Sequence, residues 1–284
     1  MDRIIRRVLI IANLQKDEAQ GIVEDIRSYA EGRGMEVESF TFRGKPGPPP
    51  DGEYDLAFSL GGDGTVLFAA RVLARRGTPI LPVNLGAFGF ITEVGRGEWR
   101  EAFEAYERGR LGTGARSLIK VCVRRNGHEI ADIAGLNDAV VSATGLAKII
   151  QLTVTLSQTP VGRYRADGMI VATPTGSTAY SAAAGGPILF PEMEAMIINP
   201  ICPFTLSHRP IVVPGSETIY IDVDHDQRTG ALLTVDGQVV LPLEEGDCIC
   251  VRQAEYKARI IRSNLRNFYE VLRSKLNWSG GSHA

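Results

Sequence analysis

From Tyr54 to Leu60 (YDLAFSL) the chain is a short apolar run. It passes through Gly61-Gly62-Asp63-Gly64-Thr65 into Val66 to Ala74 (VLFAARVLA), where apolar residues recur at helical spacing. A buried strand that ends on glycines and reopens as a helix is the unit from which parallel sheets are built. Backbone N–H groups at such a junction are unpaired and lie at the positive end of the helix dipole, which suits a phosphate. An acidic residue in that loop repels an anion, but it has a use if Asp63 takes a proton from an attacking hydroxyl. The competing reading is a tight turn in which Asp63 is the helix N-cap.

The rest of the first 110 or so residues keeps the same alternation. Val8 to Ala12 is a continuous apolar strand, and Asp17 to Gly32 an amphipathic helix carrying Ile22, Ile26 and Tyr29 on one side. Met35 to Phe42 and Pro79 to Val83 read as strands, and Gly97 to Gly109 as a helix. Arg43 to Glu53 (RGKPGPPPDGE) reads as a mobile loop. This pattern predicts an α/β domain with an open, mostly parallel sheet, whose ligands sit beyond the carboxyl ends of the strands. GGDG lies at such an end.

After Gly114 the period changes from helical to alternating. Ser117 to Arg125 and His128 to Ala134 flank Asn126-Gly127, a hairpin signal. Further strands are expected at Asp138 to Ser142, Ile150 to Ser157, Met169 to Thr173, Thr218 to Val223, Ala231 to Val235 and Asp247 to Arg252. One helical stretch, Ser177 to Ala184, interrupts them. Leu265 to Leu276 reads as a final helix that packs back on the first domain. The expected division is residues 1–114, joined by 263–284, and a β-rich domain over 115–262.

Composition removes several function classes. A net charge of −2 gives no global attraction to nucleic acid or an anionic membrane. No apolar run approaches the roughly 18 residues of a membrane span, and MDRIIRRVLI leads into a strand rather than a signal peptide, so a cytoplasmic location is expected. The four cysteines suit a reducing compartment, and none has a Cys or His partner at zinc-ligand spacing. Asp224-His225-Asp226 could suggest a metal site or an exposed acidic turn.

A second loop region matches the first in distinctiveness. Arg165-Ala166-Asp167-Gly168 leads through a strand into Pro174-Thr175-Gly176-Ser177-Thr178-Ala179-Tyr180-Ser181 and Gly185-Gly186-Pro187. Hydroxyls beside glycines offer short donors and acceptors with room for a flat ring, and Tyr180 offers a stacking face. A Ser/Thr-rich strand-to-helix turn is the plainer reading. Asn137-Asp138 opens a strand, where an amide can pair with an adenine edge and a carboxylate with ribose hydroxyls; it is also common turn chemistry.

Together these segments resemble the NAD kinase family. The matches are GGDGT (61–65), NLGAFGF (84–90), LND (136–138), YRADG (164–168), ATPTGSTAYSAAAGGP (172–187), TLSHRP (205–210) and VDGQ (235–238), in the family's order. The resemblance implies phosphorylation of the adenosine-ribose 2′-hydroxyl of NAD, with ATP or inorganic polyphosphate as donor and Mg²⁺ as the divalent metal. It implies Asp63 as proton acceptor, with Gly61, Gly62, Gly64 and Thr65 on phosphate and Gly64 also beside the nucleotide. Asn137 and Asp138 match the pair that holds adenine and ribose, the second position usually being Glu. Phe90 matches part of the adenine wall, and Lys148 a frequently basic contact position that can equally be a solvated lysine. Arg165 and Asp167 match contacts near the nicotinamide, where arginine accompanies a preference for NAD⁺ over NADH. Thr178, Ala179, Tyr180, Ser181, Ala182 and Ala183 match the segment lining the nucleotide, and Gln238 completes it.

Phe204 stands where the family often has histidine, and His208 reads as a surface residue. The implied partners are small molecules and further copies of the chain, as a dimer or tetramer. Two alternatives share parts of this pattern. A diacylglycerol- or sphingoid-type lipid kinase has GGDGT but needs an apolar entrance, whereas the second motif here is polar. A non-catalytic NAD(P) sensor keeps the pocket without needing Asp63, which is present.

Overall fold

The computed structural model describes residues 3–16, 18–86, 89–145, 148–205, 207–225, 227–263 and 266–277. Asp17 and Leu265, the expected starts of two helices, lie outside the described residues, as do Ala87, Phe88, Leu206 and Asp226 of the motifs above. The chain divides into two compact units, Met1–Ala115 with Lys257–Ala284, and Arg116–Tyr256. The second crossing therefore falls at residues 256 and 257.

The first unit contains β1 (Arg7–Asn13), α1 (Ala19–Glu31), β2 (Glu36–Phe42), β3 (Leu56–Gly61), α2 (Asp63–Leu73), β4 (Pro79–Asn84), the short β5 (Val94–Gly95) and α3 (Trp99–Glu107). β1 pairs in parallel with β2 on one side and β3 on the other, and β3 pairs in parallel with β4. The chain thus leaves β1 in one direction and returns to its other flank, so the order reverses between β1 and β3. Ligands of open α/β sheets bind beyond the carboxyl ends of the strands at this reversal. The continuous apolar runs are explained by burial on both faces: every residue of β3 and β4 is buried. Val23 and Ile26 of α1 and Phe103 of α3 share one core with Phe58 of β3.

The second unit is antiparallel. Its strands are β6 (Thr113–Arg125), β7 (His128–Gly135), β8 (Asp138–Ala143), β9 (Ile150–Leu156), β10 (Thr159–Ala166), β11 (Gly168–Ala172), β12 (Ala195–Ile201), β13 (Ile211–Pro214), β14 (Thr218–Val223), β15 (Ala231–Val235), β16 (Val239–Leu243) and β17 (Cys248–Ile261). One sheet runs β10-β9-β14-β17, with β6 on β17 and β7 on β6; the other runs β13-β12-β11-β8-β15-β16. Alternate residues of both sheets, among them Val121, Leu152, Ile219, Val171, Ile198 and Leu233, form one core.

The helix expected at 177–184 is broken into a 3₁₀ turn at Gly176–Thr178 and α4 (Tyr180–Ala183). β17 is about twice as long as its apolar signal: its last residues join the first unit, where Arg259 and Ile260 pair in parallel with Pro79 and Ile80 of β4. The final helix, α5 (Phe268–Lys275), belongs to the first unit. Asn267 and Glu270 form its capping box, and Arg266 pairs with Glu98 at 2.9 Å.

Candidate active site

β3 ends at Gly61 and α2 begins at Asp63. The N-cap is Gly62, in extended conformation, and no side chain caps the helix. Asp63 is therefore not the N-cap. Its carboxylate reaches the segment before β5: Oδ2 accepts the Phe90 N–H at 2.9 Å, and Oδ1 accepts the N–H groups of Ile91 and Thr92, each at 3.2 Å, and the Thr92 hydroxyl at 3.1 Å. The Thr92 hydroxyl, fully buried, in turn accepts from the Asn84 amide at 2.8 Å and the Gly89 N–H at 3.0 Å. One donor and two acceptor sites of that hydroxyl are thus all engaged. A Cβ at Gly89 would overlap the Asp63 carboxylate, so only glycine permits this approach.

The two oxygens of Asp63 differ as a result. Oδ1 holds three bonds and Oδ2 one, which leaves Oδ2 capacity to accept another proton donor. Gly61 has a separate reason to be glycine, since a Cβ there would collide with the buried Thr65 side chain. Gly64 is exposed at the start of α2. Asn84, Gly89 and Thr92 were not singled out by sequence reasoning. Asn84 and Gly89 lie within NLGAFGF, but nothing local marks Thr92.

In the β unit, the segment Leu136-Asn137-Asp138 meets the turn between β15 and β16. The Asp236 carboxylate accepts the N–H groups of Leu136, Asn137 and Asp138 at 2.9, 2.7 and 3.3 Å. Thr173 holds the other side: its hydroxyl donates to the Leu136 carbonyl at 2.6 Å and its N–H to the Asn137 carbonyl at 2.8 Å. Gly176 packs directly on the Asn137 backbone, where a Cβ would overlap the Asn137 carbonyl. The Asn137 side-chain Oδ1 is buried with no partner, as is Thr175 Oγ1. Burial first, and then the Asp236 charge, push the Asp138 carboxyl up to about 7.

Two hydroxyls of the Ser/Thr-rich run bond within the loop itself, as the plainer turn reading expects. Ser177, fully buried, donates to the Pro174 carbonyl at 2.6 Å and accepts from the Leu189 N–H at 3.0 Å. Thr178 bonds the Thr175 carbonyl at 3.3 Å. Ser181 is buried and fixed by the Asn199 amide, 2.9 Å from its carbonyl. Tyr180, 48% exposed, leaves a ring face open. Ala179 and Ala182 are half-buried, and Ala183 is exposed at the end of α4. Gln238 is half-buried after the Asp236-Gly237 turn.

Lys148 is exposed just before β9. Asp167, between β10 and β11, donates its N–H to the Ile201 carbonyl. Arg165 does not pair with Asp167; its guanidinium lies 5.1 Å from the centre of the Phe204 ring. His208 is not a plain surface residue, since its ring packs 4.3 Å from that of Tyr164. Asp224 is not an exposed acid either, because it accepts Thr153 Oγ1 at 2.7 Å and pairs with Arg163 at 2.8 Å. Among the described residues no three His, Cys, Asp or Glu side chains gather to hold a metal ion.

Comparison with known proteins identifies the family of the chain. Residues 49–111 match the ATP-NAD kinase N-terminal domain, and residues 136–263 the ATP-NAD kinase C-terminal domain. A Treponema denticola protein named NAD kinase is 41% identical over 98% of both chains. One from Geobacter sulfurreducens, also named NAD kinase, is 39% identical over 96% of this chain and 99% of its own. Among solved structures, a yeast NADH kinase complexed with NADH shares the fold with TM-score 0.84 at 22% identity, covering 98% of this chain and 89% of that one. An Archaeoglobus fulgidus NAD kinase in complex with ATP superposes with TM-score 0.72 at 26% identity, covering 97% and 100%. With relatives of this identity spanning nearly its whole length, the chain belongs to the NAD kinase family.

Proposed function

We propose that this chain transfers the γ-phosphoryl group of ATP to the 2′-hydroxyl of the adenosine ribose of NAD, giving NADP and ADP. The observation that carries the reading is Asp63, an acid held by four hydrogen bonds at a strand-to-helix junction. A fixed negative charge there opposes simple phosphate binding and has a use as a proton acceptor. The relatives named NAD kinase support NAD as acceptor, and the archaeal structure with ATP supports the donor.

In the proposed reaction the O2′–Pγ bond forms as the bond from Pγ to the bridging oxygen of the leaving ADP breaks in line, and the 2′-hydroxyl proton passes to Asp63 Oδ2. The backbone at Gly61, Gly62, Gly64 and Thr65 cradles the donor phosphates at the positive end of α2. Asn137 Oδ1 accepts from the adenine amino group, Asp138 holds the ribose hydroxyls, and Phe90 flanks the adenine. Lys148, Arg165, Asp167, Thr178 through Ala183 and Gln238 line the rest of the dinucleotide. Phosphoryl transfer asks little covalent work of the protein, so positioning of this kind supplies most of the catalysis. A Mg²⁺ ion bound with ATP would neutralise charge on the phosphate oxygens. Mg²⁺ would take most of its ligands from phosphate and water, since among the described residues no three His, Cys, Asp or Glu side chains gather to hold it.

The exposed apolar residues Val212 and Val240 lie on β13 and β16, the two edges of the second sheet, and support association into a homodimer or homotetramer. No described helix is long and apolar enough to cross a membrane, and the proposed substrates support a cytoplasmic location. The test is incubation with NAD, Mg²⁺ and either ATP or polyphosphate, with NADP read by an NADP-specific dehydrogenase. ATP- and time-dependent NADP is expected; none with either donor overturns the reading.

A further inference from the structure

All six backbone polar groups of Leu136-Asn137-Asp138 are engaged by two residues. Asp236 takes the three N–H groups, and its own N–H donates to the Asp138 carbonyl at 3.0 Å; Thr173 takes the other two carbonyls. The segment's one polar atom left buried without a partner is the Asn137 side-chain Oδ1. Its backbone therefore belongs to the protein, while the amide oxygen has no protein partner.

Asp236 occupies this place because of an unusual turn. Asp236 and Gly237 both have positive φ, 53° and 64°, and the Gln238 N–H returns to the Val235 carbonyl at 3.0 Å. That is a tight turn with both central residues left-handed, the conformation an Asp-Gly pair favours. An aspartate with φ in the left-handed region costs some strain. Here the turn delivers a carboxylate, 7% exposed, to three backbone donors of a neighbouring strand's entrance.

We infer that Asp236 is a positioning residue for the adenosine half of the substrate, clamping residues 136–138 so that the Asn137 amide and the Asp138 carboxyl are held ready for base and ribose. This rests on the reading above that Asn137 and Asp138 hold those groups. Asp236 also acts through charge. The register partner of Asp138 on β11 is Ala172, β15 ends in Val235, and Asp236 is the ionisable neighbour that perturbs Asp138 among the described residues.

Asp236→Asn keeps the shape but loses the charge and one acceptor. Charge-assisted hydrogen bonds of this kind predict a rise of about ten- to a hundredfold in the NAD dissociation constant and KM, with the KM for ATP unchanged. The pH midpoint of NAD binding, measured by calorimetry, should also move lower, because Asp138 loses a like-charged neighbour. Asp236→Glu, which keeps the charge, should retain the midpoint. Wild-type affinity and midpoint in Asp236→Asn overturn the inference. If Asn137→Ala leaves NAD affinity intact, the reading of the substrate site fails instead. In the wild-type, NAD-free protein the amides of 136–138 should exchange slowly with deuterium, and rapid exchange overturns the clamp even if Asp236→Asn does not fold.

Discussion

Asp63→Asn separates two things this carboxylate does. As an isosteric change it should leave the fold alone, but its four hydrogen bonds argue otherwise. Asparagine has one acceptor oxygen. If that oxygen stays with Ile91 and Thr92, the new amide N–H₂ faces the Phe90 N–H, donor against donor. One charge-assisted bond of about 1.5–3 kcal/mol is lost and the others weaken. Because Asp63 is half-buried, we take the lower end. About 2 kcal/mol, at about 2–4 °C per kcal/mol for a domain of this size, lowers the melting temperature by about 4–8 °C.

Turnover should fall further, by about 10²–10⁴-fold, through loss of the proton acceptor. The assays are calorimetric melting and coupled NADP formation. An unchanged melting temperature would refute the argument from the hydrogen bonds, and wild-type turnover would refute the role as base. Gly89→Ala is the companion variant: it keeps the carboxylate but drives a methyl group into it. Its activity should drop by at least about tenfold, and full activity would show that this approach is not needed.

Three further outcomes are expected. Asp138, raised to about 7, makes the native state prefer a proton that the unfolded chain releases near 3.8. Its contribution to stability is complete below the unfolded value and lost as pH rises through the folded one, so Asp138→Asn should gain on wild type, by about 4 kcal/mol at most, between pH 4 and 8; parallel stability curves against pH would contradict this. Burial pushes the fully buried Asp247 carboxyl up, but two Arg125 bonds of 2.8 Å and the Glu244 N–H outweigh it and hold it below its ordinary value. Arg125→Ala strands that charge and should lower the urea-unfolding midpoint, whereas an unchanged midpoint would place the pair among weak surface bridges. Arg165→Gly should raise kcat/KM for NADH relative to NAD⁺; since the guanidinium rests on Phe204, an unchanged ratio in both Arg165→Gly and Phe204→Ala would place the selectivity elsewhere.

The sequence alone determined the division into an α/β part and a β-rich part, because periodicity is a local property. The apolar run of β3 and the alternation of β15 each report which faces are covered. It also located GGDGT, LND and the TPTGSTAYS run, which are legible from residue type and spacing without reference to distant partners. Strands with mixed patterns escaped. β10 is exposed at five of its eight positions, where threonine and arginine mix with proline and valine, and β16 is signalled mainly by the Asp-Gly turn before it.

What only the tertiary structure decided is how backbone polar groups far apart in sequence are satisfied. Asp63 is bonded to residues 27 to 29 positions away and Asp236 to residues 98 to 100 positions away. No spacing rule reaches such pairs, since they exist only once the strands have brought the loops together. The same limit applies to Ser177, whose hydroxyl could serve a ligand on residue type alone, yet a buried loop must satisfy its own carbonyls first. Residue type set which groups could bond, and chain topology set which of them were already taken.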